Sequence, residues 1–251
     1  MIKIASMVGT PDLEAPTLAP YSGNLRETFS KLAALGYDGV EFMTKNPALL
    51  NGPEIRRLLD EFNLRLSQIC TGHVWGEDKL GLVDAKAELS RKGMARMKEI
   101  VDFTAAYFEP GVPVNIGRSR GPGDPAQPEK SLTAYEIAFR DLADYALAKR
   151  VRLTLEPITA TVAKFILTTQ DGIEMCRRVN RPNFGLMLDV YHMNIEDVDI
   201  SNFKELFGSR PVLLMDSAGE LPDPSNPHTS EQIRSFLAKN LPTQDDLASV
   251  K

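Results

Sequence analysis

Apolar positions along the chain fall into two alternating rhythms. Short, dense or two-residue-periodic runs predict strands over Ile2–Val8, Gly39–Met43, Leu64–Thr71, Val112–Gly117, Arg152–Pro157, Gly185–Val190 and Val212–Asp216. Between them, apolar residues recur every three or four positions and predict helices. These cover Asn24–Leu35, closed by Gly36, Glu54–Phe62 after Pro53, Asp84–Tyr107, Ser131–Lys149, Thr169–Val179 and Ser230–Leu237. In Ser131–Lys149 the apolar stripe is Leu132, Tyr135, Phe139, Leu142 and Tyr145. Strand-helix alternation without tandem hairpins implies a parallel sheet with helices outside it. The fold class is therefore α/β, with a (β/α) TIM-type barrel as the architecture. A closed barrel needs eight strands. The tail Thr243–Lys251 has no apolar run for the last one, so either the barrel is incomplete at the eighth strand or its edge is closed by something the sequence does not show. The rhythm continues across the loops Gly121–Pro128 and Glu220–Pro227, so residues 1–251 are read as one domain.

Two of these strands end in acids. Leu153-Thr154-Leu155 leads into Glu156-Pro157, and Gly185-Leu186-Met187-Leu188 leads into Asp189, three residues before His192. Apolar strand bodies are buried, and their C-terminal ends are where a parallel barrel assembles its site. Two carboxylates and an imidazole there suit a divalent cation and a small polyol, or proton abstraction beside a carbonyl. The alternative is that Glu156 and Asp189 are caps or ion-pair partners.

Bulk composition narrows the partners. Of 251 residues, 43% are hydrophobic and 25% charged, ordinary for a globular protein with a sizeable core. The net charge of -5 and pI near 5.4 give no general attraction to nucleic acid or anionic membrane. No stretch approaches the roughly 20 apolar residues of a membrane span. Cys70 and Cys176 form no CxxC pair and read as reduced core thiols. The N-terminus has no basic and apolar leader, so a cytoplasmic protein is expected.

Four motifs in order carry a resemblance: Gly36-Tyr37-Asp38-Gly39-Val40-Glu41, Val114-Asn115-Ile116-Gly117-Arg118-Ser119-Arg120-Gly121, Leu155-Glu156-Pro157, and Leu188-Asp189-Val190-Tyr191-His192-Met193-Asn194-Ile195-Glu196. From about Gly36 to Ser217 the chain resembles the xylose isomerase-like barrel superfamily, in particular its sugar phosphate isomerase/epimerase branch. The resemblance implies that Glu156 is metal ligand and catalytic base, that Asp189 is a second ligand, and that His192 contacts substrate oxygens. It implies a divalent ion, Mn, Mg or Co. The chain departs from the pattern where the branch has a third ligand, a His on the seventh strand: Leu213 stands there, and Ser217-Ala218-Gly219-Glu220 follows without the usual Arg. Ile158-Thr159-Ala160 replaces the usual Asn-Arg after Glu-Pro, and the fourth ligand, a Glu on the eighth strand that is also the second acid/base, has no counterpart. Weak metal binding is the expectation.

Other residues are candidates by position. His73 and Trp75, after the third strand, are read as a pocket polar group and a stacking platform, with a surface role as the alternative. Glu41 is either a pocket acid or else a partner of Lys45 or a cap. Arg118 and Arg120 could hold a phosphate or carboxylate, or form structural ion pairs. His228 is read as solvated. The first functional expectation is a metal-dependent sugar isomerase or epimerase working through an enediolate. Without a second acid, return of the proton to the same face favours isomerisation. Cleavage of carbon-linked glycosides as a subunit of a larger enzyme is related. The other class is a non-catalytic or truncated relative acting through subunit association, since an open sheet edge favours a homo-oligomer. Metal content beside oligomeric state separates them. A DNA-repair nuclease needs many His ligands, and this chain has three His.

Overall fold

In the computed structural model, residues 3–16 and 18–197 are described in full and 213–215 as backbone. Seven parallel strands run in sequence order: β1 (Ala5–Gly9), β2 (Gly39–Met43), β3 (Arg65–Cys70), β4 (Pro113–Ile116), β5 (Arg152–Leu155), β6 (Phe184–Asp189) and β7 (Leu213–Met215). Helices α1 (Leu25–Ala34), α2 (Gly52–Glu61), α4 (Ala87–Tyr107), α5 (Pro128–Ala148) and α6 (Thr169–Val179) fill the gaps read as helical, and two short ones, α3 (Gly72–Gly76) and α7 (Val190–Glu196), follow β3 and β6. The first strand begins at Ala5 rather than Ile2, and the sixth at Phe184. The helix expected at Ser230–Leu237, the loop Glu220–Pro227, His228, Ser217–Glu220 and the tail Thr243–Lys251 lie outside the described residues.

Local chemistry starts and stops these helices. Asn24 caps α1 by accepting from Arg26 N and Glu27 N, and Gly36 leaves it in a left-handed conformation, φ +79°. Asn51 and Pro53 open α2. Thr168 and Asp171 form a reciprocal capping box on α6, which ends at left-handed Asn180. Of the predicted α5 stripe, Tyr135, Phe139 and Leu142 are buried, while Leu132 and Tyr145 pack at its margin. Phe139 stacks between Tyr135 (5.8 Å) and Phe184 (5.7 Å), and burying such a ring contributes roughly 2–3 kcal/mol.

The core lies between the sheet and the helices. Val40 and Phe42, Leu66 and Ile69, Val114 and Ile116, and Leu153 and Leu155 all belong to it. Successive strand residues point to opposite faces. The intervening residues, Glu41 on β2, Asn115 on β4 and Thr154 on β5, therefore face the barrel interior. On β3 the alternation is interrupted. Val40 pairs with Leu66 but Glu41 pairs with Gln68, so Ser67 is a bulged extra residue, its Oγ donating to Val40 O at 3.0 Å. The bulge sets Gln68 opposite Glu41. Barrel interiors of this kind are usually filled by bulky branched residues. Here Glu41, Gln68, Asn115 and Thr154 are polar instead, and these positions lead up to the strand ends where the acids sit.

Candidate active site

Glu156 follows β5 directly. Its N–H donates to Ile116 O (3.2 Å), which continues the ladder one residue past the strand. Its carbonyl accepts from Arg120 Nη1 at 2.6 Å. Gly117, on the neighbouring strand's exit, gives the carboxyl its room: a Cβ there would lie 2.6 Å from Glu156 Oε2 and 3.2 Å from Asn115 Oδ1. Asp189 ends β6, and its Oδ1 accepts from Tyr191 N (2.8 Å), so it caps α7. The capping alternative thus holds for one oxygen of Asp189, while Oδ2 faces the imidazole. One helical turn on, His192 Nε2 is 3.9 Å from Asp189 Oδ2 and 3.8 Å from Glu156 Oε1. One donor atom from each of the three lies within 4.8 Å of the others, the one such His, Cys, Asp and Glu group among the described residues.

The loop after β5 fixes the imidazole. Thr159 N–H points at His192 Nδ1 over a long 3.5 Å, Ala160 N donates to Glu196 Oε1 (2.7 Å), and Thr169 N donates to Asp197 Oδ1 (2.9 Å). An accepting Nδ1 puts the neutral ring's proton on Nε2, facing the carboxyls. Burial holds His192 below the ordinary histidine range, with Arg120 adding to it and Asp189 and Glu196 opposing. Burial also pushes Glu156 up to about 8, helped by the charges of Asp189 and Glu41 and opposed by Arg120 and Asn115. Glu41 is pushed up to about 7, first by burial and then by Asp189, with Gln68 opposing.

The site fits a hard divalent ion: two buried carboxylates converge at one end of the sheet, with the half-buried imidazole of His192 beside them. Leu213, in register with Met187, stands where the resemblance expects a third ligand and offers no donor.

The remaining sequence candidates are placed differently. Glu41 does not pair with Lys45. The lysine's ammonium is taken by Glu77 (2.7 Å), Glu14 (3.0 Å) and Asp78 (3.2 Å), and Glu41 is buried, accepting from Gln68 Nε2 at 3.0 Å. Arg120 cannot hold a substrate anion, because its buried guanidinium is turned to the carbonyls of Glu156, Phe165 (3.0 Å) and Ile166 (3.3 Å). Arg118 is half-buried beside α3, with an Nη1 3.6 Å from where a Gly76 Cβ would be. His73 is a buried residue of α3 rather than a surface loop group. Its Nε2 lies 3.3 Å from Ala15 O and 3.7 Å from Glu77 Oε1, so it tethers the segment after β1. Trp75 is half-buried and packs 3.4 Å from the position of a Gly81 Cβ. Two contributors went unread in the sequence, Gln68 and Asn115, and Arg120, read as an anion holder or an ion-pair partner, serves carbonyls instead. For Asn115 the signal was there, a polar residue between Val114 and Ile116 on a buried strand.

Residues 29–221 match the model of the xylose isomerase-like TIM barrel. The chain belongs to that family. It is 24% identical over 184 residues to a probable ketose 3-epimerase of Synechocystis sp., covering 72% of this chain and 62% of that protein. It is 27% identical over 176 residues to an L-ribulose 3-epimerase of Methylomonas sp., covering 68% and 59%. The chain thus spans about 60% of the length of these relatives. The crystal structure of a D-allulose 3-epimerase from Methylomonas sp. in complex with D-allulose superposes with a TM-score of 0.66 at 21% identity, over 95% of this chain and 81% of that one. That likeness is one of fold. Among the described residues no helix is long and apolar enough to cross a membrane.

Proposed function

We propose that this protein inverts a ketose at the carbon beside its carbonyl. The observation that carries the reading is the convergence of Glu156, Asp189 and His192 within 4.8 Å at the C-terminal ends of adjacent strands. Two relatives, one named a probable ketose 3-epimerase and the other an L-ribulose 3-epimerase, support the same chemistry and favour epimerisation over the aldose–ketose isomerisation that the sequence alone suggested. Glu156 and Asp189 would hold a divalent ion, which supplies polarisation of the carbonyl and its neighbouring hydroxyl.

The chain's own residues then divide the work. Glu156 is the base that takes the carbon-bound proton. Its elevated proton affinity suits that task once its carboxylate is formed. His192, with its proton on Nε2, donates to a substrate oxygen and steadies negative charge developing there. Arg120 holds the Glu156 main chain in place and favours the ionised carboxyl. The test is incubation of purified protein with Mn²⁺ and a panel of ketopentoses and ketohexoses, followed by separation of the epimers. Inversion of at least one ketose, lost in Glu156→Gln, is the expected result. No inversion of any ketose with Mn²⁺, Mg²⁺ or Co²⁺ would reject the reading.

A further inference from the structure

Inversion needs proton removal on one face of a carbon and delivery on the other, and one more carboxyl faces the barrel interior beneath Glu156. Glu41 is 8% exposed and points inward, because Val40 and Phe42 on either side of it pack in the helix-facing core. The Ser67 bulge brings Gln68 opposite it, and Gln68 Nε2 donates to Glu41 Oε1 at 3.0 Å. Thr154 Oγ1 in turn donates to Gln68 Oε1 at 3.2 Å, and Thr154 sits two residues before Glu156 on the same face of β5. Bulges next to active sites commonly re-aim a side chain. Here the re-aimed residue fixes one oxygen of an inward-facing carboxyl.

Glu41 also has the chemistry of an acid. Among the described residues no ion pair engages it, and the nearest lysine in sequence, Lys45, is held by three other carboxylates. Burial favours the protonated form of such a carboxyl. Its strand, β2, lies three places along the sheet from β5, so Glu41 and Glu156 approach the pocket from different sides of the barrel.

We propose that Glu41 is a second catalytic carboxyl of the inversion proposed above, the acid that delivers a proton to the face opposite Glu156. Glu156 takes the carbon-bound proton, and the C–H electron pair forms the enediolate double bond while the carbonyl oxygen becomes negative. The enediolate then collapses, and its carbon takes the proton of Glu41 on the other face. Glu41 is left as a carboxylate and Glu156 as a carboxyl. Exchange with water resets both. In the reverse direction the roles swap, so each carboxyl is the base for one of the two epimers.

That symmetry gives a test distinct from the one for the function itself. Each epimer is incubated in heavy water with wild type, Glu41→Gln, Glu41→Asp and Glu156→Gln, and deuterium at the reacting carbon is read by NMR in recovered and inverted sugar. Glu41→Gln is near-isosteric and can still accept from Gln68. It should keep exchange into the epimer that Glu156 deprotonates, within about 3-fold of wild type, while inversion falls by about 10²-fold or more. Glu156→Gln should show the mirror image, exchange into the other epimer only, and Glu41→Asp should recover part of the inversion. Cys70, on the same interior face and in the field of both carboxyls, is the competing donor, and Cys70→Ala should invert normally. Wild-type inversion in Glu41→Gln, or equal loss of exchange and inversion in that variant, would overturn the assignment. A wild type that exchanges no carbon-bound hydrogen of any ketose rejects the function and this role with it.

Discussion

The Arg120 guanidinium donates to the main-chain carbonyl of Glu156, the residue whose side chain is the candidate base, at 2.6 Å. The same group serves the carbonyls of Phe165 and Ile166, so one buried cation closes the loop that follows β5. Replacing it with methionine leaves three carbonyls without their donor. Arg120→Met should lose about 3 kcal/mol of stability, the scale of a lost charge-assisted hydrogen bond to a buried partner. Urea denaturation checks this, and an unchanged midpoint would mean that water takes over the three carbonyls.

Glu156→Gln preserves shape and removes the base. Inversion of a ketose substrate should fall by about 10²-fold or more with the fold intact by circular dichroism. Retained activity in this variant would take Glu156 out of the chemistry.

Gly117 lets the Glu156 carboxyl lie where it does. A methyl at that position would meet Oε2 at 2.6 Å, so Gly117→Ala must displace the carboxyl. A displacement of about 1 Å at a reacting group costs on the order of 10²-fold in rate. The variant should lose kcat with little change in thermal midpoint, and normal kcat would show that the carboxyl has other room.

Stability should fall as pH rises, in a chelator. Burial raises Glu41 to about 7 and Glu156 to about 8, from an ordinary value of 4.5. Below about pH 4.5 folded and unfolded chains both hold these protons, and the stabilisation is fully present. Between there and about pH 8 only the folded chain does, so the contribution is lost as pH climbs through the folded values. Urea midpoints should drop from pH 5 to pH 8.5, and Glu41→Gln should flatten the drop. A wild-type profile flat across this range would contradict the burial argument.

Metal affinity should be low. The carboxylates of Glu156 and Asp189 give fewer donors than a divalent ion prefers, the His192 Nε2 facing them carries its proton, and Leu213 adds none. Calorimetry should find weak Mn²⁺ binding that Asp189→Asn abolishes. Tight stoichiometric binding would require ligands beyond these three residues.

The sequence made the strand-helix order legible because each strand has an apolar helix-facing side, and Glu156, Asp189 and His192 were legible because each stands at or just beyond a strand's end. Gln68 was not. Counting by twos from core residue Leu66 puts Gln68 on the helix side, and only the extra residue at Ser67 turns it inward. The helix α3 escaped because five residues with no side-chain cap give no periodic signal, so His73 read as a loop residue. Arg120 read as an anion binder or an ion-pair partner because its true partners are main-chain carbonyls contributed from 36 to 46 residues away.

The division between the two faces of each strand bears on how such a protein can change over generations. Val40, Phe42, Ile69, Val114, Ile116, Leu153 and Leu155 hold the helices on, while Glu41, Gln68, Asn115 and Thr154 alternate with them but look the other way. A substitution on the inward set alters the pocket and leaves the helix packing intact. Drift toward a new substrate can therefore proceed one inward position at a time, without first acquiring a compensating change in the scaffold.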